Sequence, residues 1–372
     1  MAFSRPAEIR ITEGVMLQAG LVGFGMAGRV FHGPLLSSVE GLRLAAVLER
    51  SANHAAGRYS GIKTYRSLQE MLADASLDLF VVATPSGSHF EIARTLLRAG
   101  RNVVVDKPLA IHSAQVAELI ALARQQNILL SPFQNRRWDS DFLTIQKLLH
   151  EGALGRLVRF ESRFDRWRPD PPGSRLWKED PAAGGVLLDL GPHLVDQAMV
   201  LFGKPDAVSG HLLCEREWAR ANDSFEIRLR YPGFLVTLGA NNLTLPSSPR
   251  FHLRGTKGNY WKHGLDPQEA ALNKIARIDD PHWGREPEKD WGQLYMGANG
   301  AVGSHPVEPV PGDYRRYYAG IRDALLGKGP APATAVEAWR TARLLEWAQE
   351  SSDTRSEIVC DWSGEPESAS SL

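Results

Sequence analysis

Cysteine is nearly missing from this chain, with only Cys214 and Cys360 among 372 residues. They lie far apart and without metal-ligand spacing, which argues against a disulfide framework or a zinc site and makes a reducing cytoplasm the default compartment. No metal is expected. A surplus of one charge is missing too, because 43 Lys and Arg balance 43 Asp and Glu. Nucleic-acid binding normally shows as a basic excess or stripe, so that class of partner is not expected. Apolar runs stay short of the ~18 residues that cross a bilayer, and no secretory pattern opens the chain, so no membrane association is expected. Internal repeats do not occur.

What is present is ordinary globular material: 43% hydrophobic and 23% charged residues, in a length that suits two domains. Residues 1–14 are mixed and polar and are expected to form a loose extension. Beyond them, apolar runs at Leu17–Gly23, Leu42–Leu48, Leu77–Ala83, Asn102–Val105 and Ile128–Pro132 alternate with helical patterns. The helical patterns cover Gly28–Val39, Ser67–Ala75, His89–Ala99 and Ser113–Gln126. Continuously apolar strands separated by helices specify a parallel, doubly wound sheet.

After Phe133 the rhythm changes. A helix is expected over Asp139–Glu151, a strand over Leu157–Phe164 and an amphipathic stretch over His193–Phe202. Residues 207–262 read as strands joined by short turns, with Tyr231-Pro232-Gly233 as a hairpin turn, which favours an antiparallel sheet. Such an open sheet would leave one apolar face to water. Residues 266–312 read as a long loop with short helical pieces. Helices follow at Asp313–Leu326 and Ala335–Glu350, then a strand at Glu357–Asp361 and a polar, unstructured tail. The expected division is an extension at 1–14, a nucleotide-binding domain at 15–133, a substrate domain at 134–365 and a tail at 366–372.

Gly23-Phe24-Gly25-Met26-Ala27-Gly28 is a GxGxxG turn between a strand and a helix. The first glycine permits the tight turn, the second admits a pyrophosphate, and the third lets strand and helix pack closely. Glu49, 21 residues beyond Gly28, stands where a carboxylate would bind the adenosine ribose, and Arg50 follows it. Thr84, Pro85 and His89 lie in the turn after Leu77–Ala83, at the strand ends where nicotinamide would sit. Asp106 and Lys107 end the next strand at the same edge. An ordinary solvated lysine fits that position equally well. Asp189 and His193 stand four apart and would share one face of a helix, ready for proton transfer. A cap plus a satisfied histidine fits that spacing as well. Arg136, Arg137, Asp139, Asp165, Arg166 and Trp167 are of types that hydrogen-bond or stack against a polyhydroxylated ring. Asp196 is as well explained as a structural partner.

The glycine turn, the ATPSGSH turn, the DKP motif and GGVLLDLGPHLVDQ together resemble the glucose–fructose oxidoreductase/inositol dehydrogenase/MocA family over roughly residues 16–365. The stretches SPFQNRRWDSDFLT and FDRWRP are most similar to its scyllo-inositol dehydrogenase-like branch. The resemblance implies a Rossmann domain plus an α/β domain whose open, mainly antiparallel sheet builds homodimers or homotetramers. It also implies a Lys–Asp–His site, carried here by Lys107, Asp189 and His193. Where this family usually has Glu-Lys-Pro, this chain has Asp-Lys-Pro, which alters the geometry slightly and keeps the lysine. The function implied is hydride transfer between NAD or NADP and a hydroxyl-bearing ring carbon of a sugar, inositol or related polyol. Glu49 favours NAD. A regulatory protein that binds nucleotide without turnover, and a reductase of imines or conjugated double bonds, are the alternatives on the same fold.

Overall fold

A computed structural model describes residues 14–171, 180, 184–274, 277–298 and 301–367. Most of the expected extension, residues 1–13, lies outside the described residues. The first half forms a six-stranded, all-parallel sheet in the order β3-β2-β1-β4-β5-β6. Its strands are β1 (Leu17–Val22), β2 (Leu42–Leu48), β3 (Lys63–Tyr65), β4 (Leu79–Val82), β5 (Asn102–Asp106) and β6 (Leu130–Phe133). The helices are α1 (Gly33–Ser38), α2 (Leu68–Leu72), α3 (His89–Arg98) and α4 (Ser113–Gln126). Strands β4 and β5 are apolar throughout their centres because helices cover both faces. The strand order reverses between β1 and β4, and that switch point opens the crevice where α/β sheets bind ligands. Only β3 escapes the sequence pattern. Three partly exposed residues, Lys63, Thr64 and Tyr65, carry no apolar signal.

The second half contains α5 (Ser140–His150), β7 (Leu157–Arg163), α6 (Gly185–Phe202), β8 (Ala207–Leu213), β9 (Ser224–Tyr231) and β10 (Phe234–Asn241). Then come β11 (Phe251–Gly255), β12 (Gly258–Lys262), α7 (Gln268–Asn273), β13 (Gly292–Ala298), β14 (Ala301–Val307), α8 (Arg315–Leu325), α9 (Ala335–Thr354) and β15 (Ile358–Val359). The nine strands form one sheet, β14-β13-β12-β11-β7-β10-β9-β8-β15, antiparallel except where β7 meets β10. Helix α6 packs on its inner face through Leu190, Leu194 and Ala198. By length and mean hydropathy (1.2) α6 meets the criterion for a bilayer span, which corrects the expectation that no stretch does. That apolarity serves the core between helix and sheet.

Three further expectations are corrected. Residues 266–312 are not mainly loop, because β13 and β14 form a hairpin there. Gly292, Gly297, Gly303 and Pro306 dilute its strand signal. The outer sheet face is charged at its centre, with exposed Trp261 and Tyr295 beside the charges, rather than uniformly apolar. Arg159–Glu161 and Glu226–Arg228 pair along their own strands, and Arg163–Glu226 pairs across strands at 3.5 Å. The polar stretch expected to be unstructured after Asp361 is held in place, since Glu365 pairs with both Arg340 and Lys204 at 2.5 Å and Glu367 with Arg124 at 2.5 Å.

The packing crosses residue 133. Tyr314, Tyr317, Tyr318 and Ile321 of the α8 region join the core of the parallel sheet. Helix α9 belongs to both halves. Val336, Trp339 and Ala342 enter the core beside β4 and β5, whereas Leu344, Leu345 and Trp347 enter the core beneath the nine-stranded sheet.

Candidate active site

The glycine turn leaves β1 at the switch point. Gly23 has φ +98°, and a Cβ there would lie 2.9 Å from the Ala83 carbonyl oxygen. A Cβ on Gly28 would come within 2.4 Å of the Gly23 carbonyl. At Gly25 a Cβ would meet nothing within 4 Å, so that backbone faces open space. Two crowded glycines around one open one is the cradle a pyrophosphate needs, and the residues present fit a dinucleotide. Phe24 is buried edge-on against Tyr59, so only its backbone is available to a ligand. Met26 stays exposed at the mouth and Ala27 leads into the helix.

Glu49 follows β2 and is engaged by its own loop. Its carboxylate accepts the amide N–H groups of His54 at 3.1 Å and Ala55 at 3.0 Å and is 6% exposed. It caps its own loop. Arg66 fixes the same loop by donating to the carbonyls of Glu49 (2.7 Å) and Ala52 (2.5 Å). Arg50 is exposed and has no side-chain partner among the described residues.

Beyond β4, Thr84 Oγ1 accepts from the Ser88 hydroxyl at 2.8 Å. Pro85 precedes a short helical turn over Ser86–Ser88. His89 is buried, with one ring nitrogen 2.8 Å from the Pro108 carbonyl and the other 2.8 Å from that of Thr84. It ties two turns together and presents neither nitrogen to a ligand. Asp106 accepts the Lys107 amide at 2.8 Å and lies 3.9 Å from His32 Nε2. Burial opposes ionisation of Asp106, but the nearby His32, Lys107 and His89 outweigh it and hold the carboxyl below the usual range.

Helix α6 starts earlier than the sequence pattern suggests because Asn222 caps it. The Asn222 carbonyl accepts the Val186 amide at 2.7 Å and its side chain accepts the Leu187 amide at 2.8 Å. Asp189 and His193 therefore lie one turn apart on a single helix. Lys107 Nζ donates to the Asp189 carbonyl at 2.5 Å and approaches Asp189 Oδ1 at 3.2 Å. This contact joins the edge of the parallel sheet to α6. His193 is 6% exposed, and its Nδ1 is buried without a partner. Burial pushes the imidazole well below its ordinary range, and Lys107, Arg136 and Arg250 add to the effect against the opposing charge of Asp189. A neutral imidazole beside a lysine ammonium can take a proton while the cation holds a developing alkoxide.

The candidate substrate residues separate. Arg136 is buried between Asp139 (3.3 Å) and Glu269 (2.5 Å), near His193. Arg137 donates twice to Asp196, at 2.8 and 2.6 Å, and reaches Glu337. It braces α6 against α9, and Asp196 is its structural partner. Asp165 pairs with Arg163 at 2.7 Å on the outer face of the sheet. Trp167 is 52% exposed. Arg137, Asp165 and Trp167 are thus not brought to the Lys107–Asp189–His193 cluster. The cause is the two-residue alternation of extended chain, which puts Phe164 and Arg166 on the inner side and Asp165 and Trp167 on the other. Residues the sequence reading missed include Glu269 and Arg250, whose guanidinium lies 3.9 Å from the Phe164 ring and donates to Gln197 at 2.7 Å.

A dinucleotide cradle at the switch point of a parallel sheet, with a lysine and a buried histidine beside it, defines a nucleotide-dependent oxidoreductase. A family model described as an oxidoreductase family with an NAD-binding Rossmann fold matches residues 17–133, and the GFO/IDH/MocA C-terminal domain matches residues 142–261. The chain belongs to the Gfo/Idh/MocA family. It is 38% identical to the uncharacterised oxidoreductase YdgJ of Escherichia coli over 92% of this chain and 98% of that protein. It is 31% identical to the scyllo-inositol 2-dehydrogenase (NADP(+)) IolW of Bacillus subtilis, over 93% and 96%. The solved structure of the Bacillus subtilis oxidoreductase yvaA superposes with TM-score 0.90 at 31% identity, over 93% of this chain and 99% of that one.

Proposed function

We propose that this protein is an NADP-preferring dehydrogenase that oxidises a CH–OH group of a sugar, inositol or related polyol, or reduces the matching ketone. The observation that carries this reading is the convergence of Lys107, Asp189 and buried His193 beside the glycine cradle. The scyllo-inositol activity printed for IolW points to the same substrate class. The bound nicotinamide would supply a hydride acceptor. Oxidation breaks the C–H bond, whose electron pair leaves with the hydrogen, and the hydroxyl proton passes to His193. Nε2 is the receiving atom, because Nδ1 is sealed inside the protein. Lys107 hydrogen-bonds the reacting oxygen and stabilises negative charge as it develops. Asp189 holds Lys107 in place.

The preference for NADP rests on Glu49 and Arg50. With the Glu49 carboxylate engaged by two loop amides, Arg50, exposed and without a side-chain partner among the described residues, would be available to a 2′-phosphate. This reverses the preference for NAD that Glu49 suggests in the sequence. A homodimer or homotetramer built through the charged sheet face, and a cytoplasmic location, complete the proposal. The test is initial-rate reduction of NAD⁺ and NADP⁺ over inositols, aldoses and sugar acids. Tight cofactor binding with no turnover across the panel would instead favour a regulatory protein.

A further inference from the structure

Among the described residues, every buried cation around the site but one has an acidic partner. Lys107 has Asp189, Arg136 has Asp139 and Glu269, Arg137 has Asp196, and Arg250 has Asp141 at 3.7 Å. Arg166 has none. Its backbone is pinned, with N–H donating to the Asn241 carbonyl at 2.8 Å and its carbonyl accepting from Thr244 at 3.0 Å. Its side chain forms no hydrogen bond or ion pair among the described residues, although it is only partly exposed. It follows Phe164 by two in extended chain and so lies on the Phe164 side. Phe164 itself packs against His193, with ring centroids 6.5 Å apart.

The electrostatics of Arg166 agree with that placement. Burial and the cations of Arg168 and Arg136 push its guanidinium below the usual range, and Asp189 and Glu269 oppose them. Glu269 in turn feels Arg136, Arg166 and Lys107 together. Holding an unpaired, partly desolvated guanidinium beside other cations is unfavourable in the absence of a ligand. It becomes favourable when an anion enters. The oxidised cofactor, with its positively charged nicotinamide, would add to the same field.

We propose that the substrate of this site carries a carboxylate in addition to the hydroxyl that is oxidised, and that Arg166 binds that carboxylate. One surplus guanidinium matches a monoanion, and its planar fork matches a carboxylate in two-point contact. The substrate class is therefore a sugar acid, an aldonate or uronate, rather than a neutral polyol. The inference rests on the proposed oxidoreductase reading and narrows its substrate.

The test pairs each acid with its neutral counterpart: aldonates with alditols and uronates with aldoses, plus sugar phosphates as a separate arm. Binding to the full chain saturated with reduced cofactor is measured by calorimetry, and turnover is measured in parallel. At least one acid is expected to bind about 10-fold or more tightly than its neutral partner. Arg166→Gln should abolish that difference while leaving neutral compounds within about 2-fold, and Arg166→Lys should restore part of it. Equal binding of acids and neutral compounds, a stronger preference for phosphates, or an acid preference that survives Arg166→Gln overturns the proposal. Selective acid binding without turnover of any compound supports it and counts instead against the oxidoreductase reading.

Discussion

The carboxylate of Glu49 accepts the backbone amide of Ala55 at 3.0 Å and so caps its own loop. A carboxylate facing the ribose would repel a 2′-phosphate; one turned into its own loop stabilises the loop. We expect Glu49→Ser to lower stability by ~1–3 kcal/mol, the cost of stranding amides that had a charged acceptor. The NADP to NAD ratio of kcat/KM should move by less than about 2-fold. Arg50→Ala should lower kcat/KM for NADP by about 10-fold or more and leave NAD nearly unchanged. A large gain in NADP use by Glu49→Ser would show that the carboxylate faces the ribose after all.

Lys107→Ala and His193→Ala should each lower kcat by ~10²-fold or more, the scale of lost electrostatic or proton-transfer catalysis. Cofactor affinity, read by fluorescence titration, should change far less because the cradle lies at Gly23–Gly28. Near-normal turnover in either variant would remove that residue from its role.

His193 also links stability to pH. Its pKa in the folded protein lies below the unfolded value, so in mildly acid solution the unfolded chain binds more protons. Its contribution to stability is full above about pH 6.5 and falls as pH falls, by up to ~1.4 kcal/mol per pH unit. Urea unfolding at pH 7.5 and 5.0 should therefore show wild type losing stability relative to His193→Gln on acidification. The acid limb of kcat/KM for oxidation should likewise lie below the ordinary imidazole range. A limb near 6.5 that disappears in His193→Gln would contradict this burial effect.

Lys262 and Glu286 form an ion pair 2.7 Å apart, with side chains 0% and 2% exposed. Removing one partner strands a buried charge, so Lys262→Met should cost ~3–5 kcal/mol. The double variant Lys262→Met/Glu286→Gln should recover a large part of that loss. Additive single effects in the thermodynamic cycle would show that the two groups do not interact.

The sequence exposes features whose cause is local. The glycine turn, the strand–helix alternation and the Asp189–His193 spacing follow from short-range constraints and all appear in the fold. Features set at long range are hidden. The charges on Arg250, Asp141 and Lys262 read as surface residues until the fold buries them. Alternation in extended chain is legible at 157–168, but its phase is not, which is why Asp165, Arg166 and Trp167 stand out alike in sequence although only Arg166 shares a side with Phe164. The role of Glu49 turned on a contact with residues 54 and 55 that no motif encodes.

Helix α9 has one more consequence. Its first turns are embedded beside the parallel sheet and its later turns beneath the nine-stranded one, without a break in the helix. A chain cut after residue 133 would lack Trp339 and Tyr317 and leave their pockets open to water. The nucleotide-binding half is therefore not a transplantable module. We expect the two halves to unfold in a single calorimetric transition, because α9 packs in both cores.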